Sequence, residues 1–349
     1  MSSIGIIPDR GRGAVPRPVK AAFTAGVLLI LLGAAGCQKP TPPGYLLRYH
    51  FQPGDILQYD VYLTGEGTVT MEEVGSKKEG DRLVLPVRIQ GSYLLEAAVE
   101  SVSPEGTAAI SVSYKDFHLT MTNRVRDRES TIILTDRSLR TVEGETVKKE
   151  ITADDEDFPL RGISGETFTV EVDPRGRIIA ARVPPSPGRR FPYLKFDNLW
   201  ERIQPEFPET EVPVGAGWSR EVEIPAPGAG SPWDRGETWA VKLDSTFRGF
   251  QGKEEKIALI DFTGRYEQES LPEEGGRPLS GVKRSTHLLT GTVEFDIKDG
   301  LVLSSRSRLK QGLDLLMVLE QVIPGKNLQA RIDDATEITV TLRATSRRR

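Results

Sequence analysis

Apolar and polar residues alternate along much of this chain. Leu57, Tyr59, Val61 and Leu63 alternate with Gln58, Asp60 and Tyr62, and Ile338, Val340 and Leu342 alternate with Thr339, Thr341 and Arg343. A period of two puts every second side chain on one face, the mark of a strand with one wet side. The same alternation runs through residues 93–102, 108–114, 168–172 and 257–262. Pro104-Glu105-Gly106, Gln251-Gly252-Lys253 and Asp299-Gly300 carry turn chemistry between such runs. Long strands with short turns predict a mainly β fold, with long antiparallel strands in a curved sheet or half-barrel.

One segment has a different period. Phe196, Leu199, Trp200 and Ile203 fall at i, i+3, i+4 and i+7, and Pro205 and Pro208 follow. This predicts one amphipathic helix near 194–204, stopped by proline. Its stripe is the candidate contact for an apolar ligand. A breaker-rich stretch, Pro184-Pro185-Ser186-Pro187-Gly188, precedes it. The expected organisation is a first β-rich half over 45–183, a linker plus helix over 184–210, and a second β-rich half over 211–346.

The halves look duplicated. Thr169-Val170-Glu171-Val172-Asp173 leads into a turn bearing Gly176, as Thr292-Val293-Glu294-Phe295-Asp296 leads into one bearing Gly300. Pro53-Gly54-Asp55 corresponds loosely to Pro213-Val214-Gly215-Ala216-Gly217. Limited turn chemistry gives unrelated hairpins some likeness of this kind.

The first 36 residues read differently. Arg10, Arg12, Arg17 and Lys20 face one acid, Asp9, and an apolar run of 16 residues follows over 21–36. That run is short of the roughly 20 residues a spanning helix needs. Gly33-Ala34-Ala35-Gly36 then leads to Cys37, the only cysteine. A basic start, a short apolar core and a small-residue exit make a secretory signal. With Cys37 at the exit, the segment resembles the lipobox of bacterial lipoproteins, although Ala34 stands where that family prefers Leu. The resemblance implies cleavage between Gly36 and Cys37 and a diacylglyceryl lipid on Cys37. It also implies an extracytoplasmic protein anchored to the cell membrane, or to an outer membrane in a two-membrane bacterium. Residues 37–44 follow as a proline-rich tether.

The whole arrangement resembles an uncharacterised family of bacterial exported lipoproteins with two related β-rich halves. Its motifs are a Gly-Asp strand opening, here Gly54-Asp55, a mid-chain opening ending in Trp, here Val214 to Trp218, and a Phe-Asp hairpin, here Phe295-Asp296 through Gly300. Ala216 and Gly217 depart from the middle motif. The resemblance implies location and fold, and it brings no activity.

Charge narrows the partners. Of the 46 basic and 50 acidic residues, 42 and 49 remain beyond the signal, a net charge of −7. An acidic surface argues against nucleic acid. One cysteine excludes an internal disulfide, so 313 residues must rest on their own core.

Little in the chain spells chemistry. His50, His118 and His287 lie far apart on expected strands, without metal-ligand spacing. Gly162-Ile163-Ser164-Gly165 misses the spacing of a nucleophile elbow. Asp154-Asp155-Glu156-Asp157 lacks the alternation of a calcium loop and reads as a solvated turn. Asp173 and Asp296 read as turn caps. Trp200, Trp218, Trp233 and Trp239 cluster near Phe191, Tyr193 and Phe196, either as core packing or as an apolar cleft beside Arg189, Arg190 and Lys195. No catalytic residue, metal or cofactor is expected, apart from the lipid on Cys37. The reading is a non-catalytic binding module whose partners are the membrane and a lipid or envelope protein. A ligand-free scaffold is the rival, and a hydrolase ranks last.

Overall fold

The computed structural model describes residues 43–73, 82–125, 128–160, 164–182, 204–225, 238–252, 254–269, 273–274, 277–278, 281–318 and 327–347. Residues 44–349 form one compact unit. Eighteen strands and no helix occur among the described residues. The first half holds β1 (Gly44–Tyr45), β2 (Asp55–Glu73), β3 (Leu83–Val102), β4 (Ala108–Val125), β5 (Arg128–Thr135), β6 (Ser138–Glu143), β7 (Thr146–Thr152), β8 (Thr167–Val172) and β9 (Ile178–Arg182). The second holds β10 (Val212–Pro213), β11 (Gly217–Pro225), β12 (Thr238–Gln251), β13 (Ile257–Glu269), β14 (Glu273–Glu274), β15 (Arg277–Pro278), β16 (Gly281–Asp296), β17 (Leu301–Val318) and β18 (Asn327–Arg347).

Fourteen strands make one antiparallel sheet. Its order is β11-β12-β13-β16-β17-β18-β2-β3-β4, after which β4 pairs β5 along one stretch and β8 along the other. The expected turns close real hairpins. Gly106, Gly252 and Gly300 all have positive φ, the conformation that glycine adopts without steric cost.

The two halves run through the same pairing steps. β2-β3-β4-β8-β9 and β11-β12-β13-β16-β17 are each chains of antiparallel neighbours. Their openings also match. Gly54 N donates to Val99 O (2.8 Å) and Asp55 N to Gln52 O (3.1 Å), as Gly215 N donates to Phe247 O (2.7 Å) and Ala216 N to Pro213 O (3.0 Å). Ala216 thus holds the place of Asp55. At the closing turns, Asp173 Oδ1 accepts from the N–H groups of Arg175 (2.9 Å) and Arg177 (3.0 Å). Asp296 Oδ1 accepts from Lys298 (2.8 Å) and Asp299 (2.9 Å).

The sheet curls, and one pair of residues shows how far. β8 lies six steps from β16 in the strand order. On a flat sheet that is roughly 29 Å at the usual strand spacing. Yet Tyr49 N donates to Pro174 O in the β8–β9 turn (2.8 Å), and His50 N donates to Gly300 O in the β16–β17 turn (3.2 Å). Adjacent Cα atoms are only about 3.8 Å apart. The sheet must therefore bend until the two turns stand side by side.

The bend encloses a core at that end. Residues 45–51 and 204–212 cross it and pack Leu47, Tyr49 and Phe207 against Tyr59, Leu95, Val170 and Phe295, all buried. Tyr49 stacks on Phe51 (5.4 Å) and Phe207 (5.3 Å), and Phe207 meets Phe295 edge-on at 4.6 Å. Such pairs add to the burial energy of large rings. Arg48 Nη1 donates to Pro208 O (2.8 Å), and Arg175 Nε donates to Phe207 O (2.8 Å). β1 pairs β10, tying the two crossing segments together.

The helix expected near 194–204 gains no support. Phe196, Leu199, Trp200 and Ile203 lie outside the described residues. Gln204, the described residue of that span, is irregular chain, and its Nε2 faces the hydroxyl of Tyr59 at 3.5 Å. Gly36 and Cys37 also lie outside the described residues, as do Trp200 and Trp233.

Candidate functional site

The residues singled out for chemistry do not converge. His50 Nδ1 lies 3.2 Å from Lys298 O, at the β16–β17 turn. His118 lies near Thr120 Oγ1 (3.4 Å), and His287 Nε2 is 2.7 Å from Ser285 Oγ. No group of three metal-binding side chains occurs among the described residues. Ser164 donates its hydroxyl proton to Asp136 Oδ1, while Asp136 Oδ2 accepts from Phe117 N (3.1 Å). That bond fastens a loop to the β5–β6 turn. Asp155 caps Thr152, accepting from its N–H (2.6 Å) and hydroxyl (2.9 Å), and these bonds hold its carboxyl below the ordinary value. Trp218 donates Nε1–H to Glu206 O (2.9 Å) and packs near Phe207, so this member of the tryptophan cluster belongs to the core.

The outer face carries a shallow depression of about 440 Å³ over β12, β13 and β16. Its charges are already matched. Asp261 accepts from Thr292 (2.8 Å) and pairs with Arg248 (3.3 Å), while Asp244 pairs with Lys242 (3.1 Å). It is a solvated surface.

The inner face is the more informative surface. Strand register arranges it in transverse rows. Near the crossing segments, Val293, Ser305, Val340, Val61 and Tyr93 form a buried row. The next row is Gly291, Ser307, Ile338, Leu63, Gly91 and Leu119. Among the described residues the continuous core reaches as far as Leu63, Leu119 and Ile338. Beyond it, apolar side chains recur on alternate rows. Leu289, Leu309, Ile89 and Met121 share one row, and Ile332, Val69 and Leu85 share another. These seven side chains are half-buried, although Leu313 and Ser285 in the second row are buried.

Between those two apolar rows runs a polar one. His287, Gln311, Asp334, Gly67, Val87, Asn123 and Ser130 are successive partners across β16, β17, β18, β2, β3, β4 and β5. Among the described residues no hydrogen bond or ion pair engages the Asp334 carboxyl. Burial, and then the adjacent Asp333 charge, push it up from its ordinary 3.8 to about 6. Asn123 Oδ1 is buried without a hydrogen-bond partner. Sequence reading passed over this row because its members are far apart in the chain. The one local signal is Asp334, a charge at an inward position of the run Ile332, Asp334, Thr336, Ile338, Val340.

Glycines shape the same face. A Cβ at Gly67 would lie 2.7 Å from Asp333 O and from Asp334 Cβ, and one at Gly65 would lie 2.8 Å from Thr336 Oγ1. A strand without side chains at these points lets its neighbour lean in, the usual device for bending a sheet.

No known family profile and no curated protein matches the chain. Among solved structures, it is similar to lipovitellin, in a structure concerned with lipid–protein interactions, at 11% identity and a TM-score of 0.44. The match covers 86% of this chain and 26% of that one. A likeness of this size carries no functional inference.

Proposed function

We propose that this protein is an exported, lipid-anchored binding module that takes an apolar ligand against the far part of its inner face. One observation carries the reading: the inward apolar rows continue through Ile89, Met121, Leu309 and Ile332 after the continuous core has ended. A curved apolar surface of this kind suits an oily ligand. The sequence supports the rest of the proposal. The signal ending at Gly36-Cys37 places the domain outside the cytoplasm, held to a membrane by a diacylglyceryl group on Cys37. Lipids and other anchored proteins are the neighbours there. The two halves, with matching pairing steps and matching Asp-capped turns, are read as products of a duplication, in keeping with the resemblance to exported lipoproteins. A role without catalysis is part of the proposal.

The experiment is a titration of the soluble domain, from residue 43 on, with the neutral fluorophore N-phenyl-1-naphthylamine. Saturable binding is expected, and Ile89→Asp should abolish it while the thermal transition survives. The aromatic plug at the other end favours a rival, a scaffold filled by its own side chains. Absence of saturable binding in the wild type establishes that rival and removes the proposal. For the anchor, labelled palmitate should enter the full chain and spare Cys37→Ser; equal labelling of both defeats it.

A further inference from the structure

We infer that the polar row of the inner face selects the ligand's head group, so that the site takes amphiphiles with a hydrogen-bond-donating, non-anionic head and rejects anionic ones. This rests on the binding reading above and names the ligand class for that same face.

The geometry comes from register. Gln311 and Asp334 are direct partners on β17 and β18, and His287 is the next residue across on β16. At ordinary strand spacing the three span roughly 10 Å, the width of a small head group. Apolar rows flank them on both sides, with Leu289 and Leu309 below and Ile332 and Val69 above. A chain running along the strands across those rows brings its polar end to this level. Two acceptors found there stand without a donor. Asp334 has no bonded partner among the described residues, and Asn123 Oδ1 is buried and unpartnered. A buried acceptor left unpaired is destabilising, so a ligand that supplies O–H or N–H groups gains what the empty site lacks.

Charge gives the direction of selectivity. By register, Asp333 adjoins Asp334 on β18, Lys310 on β17 and Glu66 on β2 face its other neighbour Ala335 on the outer side, and His287 lies two strands away in the same inner row. Its inward neighbours on β2 and β17, including Gly67, Val69, Leu309 and Leu313, bring no charge. At neutral pH a carboxylate in this setting repels another carboxylate or a phosphate and attracts an ammonium or hydroxyl. Among the described residues that row carries no Lys or Arg. Gly67, opposite Asp334, brings no side chain against it, and a methyl there would meet Asp334 Cβ at 2.7 Å.

The test uses three C12 amphiphiles below their micelle concentrations, as competitors for bound N-phenyl-1-naphthylamine. Monolaurin has a hydroxyl head, dodecylamine an ammonium head and laurate a carboxylate. At pH 8 the first two should displace the probe at concentrations about tenfold lower than laurate, the size of one charge-assisted hydrogen bond gained or lost. Asp334→Asn should bring laurate within about threefold of the others, each competitor being compared against the variant's own probe affinity. Gln311→Leu keeps the charge and should weaken monolaurin while leaving laurate rejected. If the probe binds saturably and all three compete equally, the head-group inference is wrong and the apolar face stands. If the probe does not bind at all, the binding reading itself has failed.

Discussion

The two ends of the inner face are built on the same strands and come out differently. Near the Asp173 and Asp296 turns, the strands present Tyr59, Leu95, Val112 and Phe295, and two irregular segments lay Tyr49 and Phe207 across them. Toward the other end the same strands present Ile89, Met121 and Leu309, half-buried and outside the continuous core. Alternation alone does not separate filled from unfilled. Among the described residues, what separates them is that a second piece of chain crosses the first end and supplies large rings.

The largest expected contrast is between truncations at the two ends. Phe207→Ala removes a fully buried ring in contact with Tyr49 and Phe295, and should cost about 3–5 kcal/mol in urea melts. Leu85→Ala, at the far end, should cost under about 1 kcal/mol. Equal losses would mean the far end is packed core as well, and the contrast would be gone. Next in size is Gly67→Ala. Its methyl meets Asp333 O and Asp334 Cβ at 2.7 Å, so an overpacking cost of about 1–3 kcal/mol is expected. A neutral result would show slack between β2 and β18, and the bend would need another cause.

The smallest effect concerns Asp334 and depends on pH. Its carboxyl titrates near 3.8 when unfolded and about 6 when folded. Between those values the folded chain keeps a proton that the unfolded chain has lost. The stability linked to this group is therefore complete below the lower value and lost as pH rises through about 6. Asp334→Asn should match the wild type near pH 3.5 and exceed it at pH 8 by on the order of 1 kcal/mol, a figure reduced for the group's partial exposure. Thermal melts at both values check this. A constant difference between variant and wild type would place the carboxyl in water.

Much of the fold was legible from local pattern. Period-two alternation marked β2, β3, β4, β8, β13 and β18, and the glycine turns marked three hairpins, because both signals lie within a few residues. The paired aspartates were legible as caps for the same reason. Strand order was not. Nothing local says that β18 inserts between β17 and β2, since that pairing joins Asp60 to Thr341 across most of the chain. The crossing segments were also missed. Leu47, Tyr49 and Phe51 alternate as a strand would, yet they lie over the sheet with only Gly44 and Tyr45 paired in a ladder. The polar row needed the register of seven strands before it existed as a row. The amphipathic spacing at 196–203 favoured a helix, and nothing described supports it.

The position of β18 has a consequence in time. On the ribosome, β2 can pair with β3 at once, but its other edge must wait for residues 327–347. At ordinary synthesis rates of about 5–20 residues per second, that wait lasts on the order of 10–50 s. Throughout it a 19-residue strand offers a row of unsatisfied N–H and C=O groups to any passing strand. A chain with this topology is exposed to mispairing until its last long strand arrives. Its folding outcome is thus tied to whatever keeps the nascent or translocating chain apart from its copies.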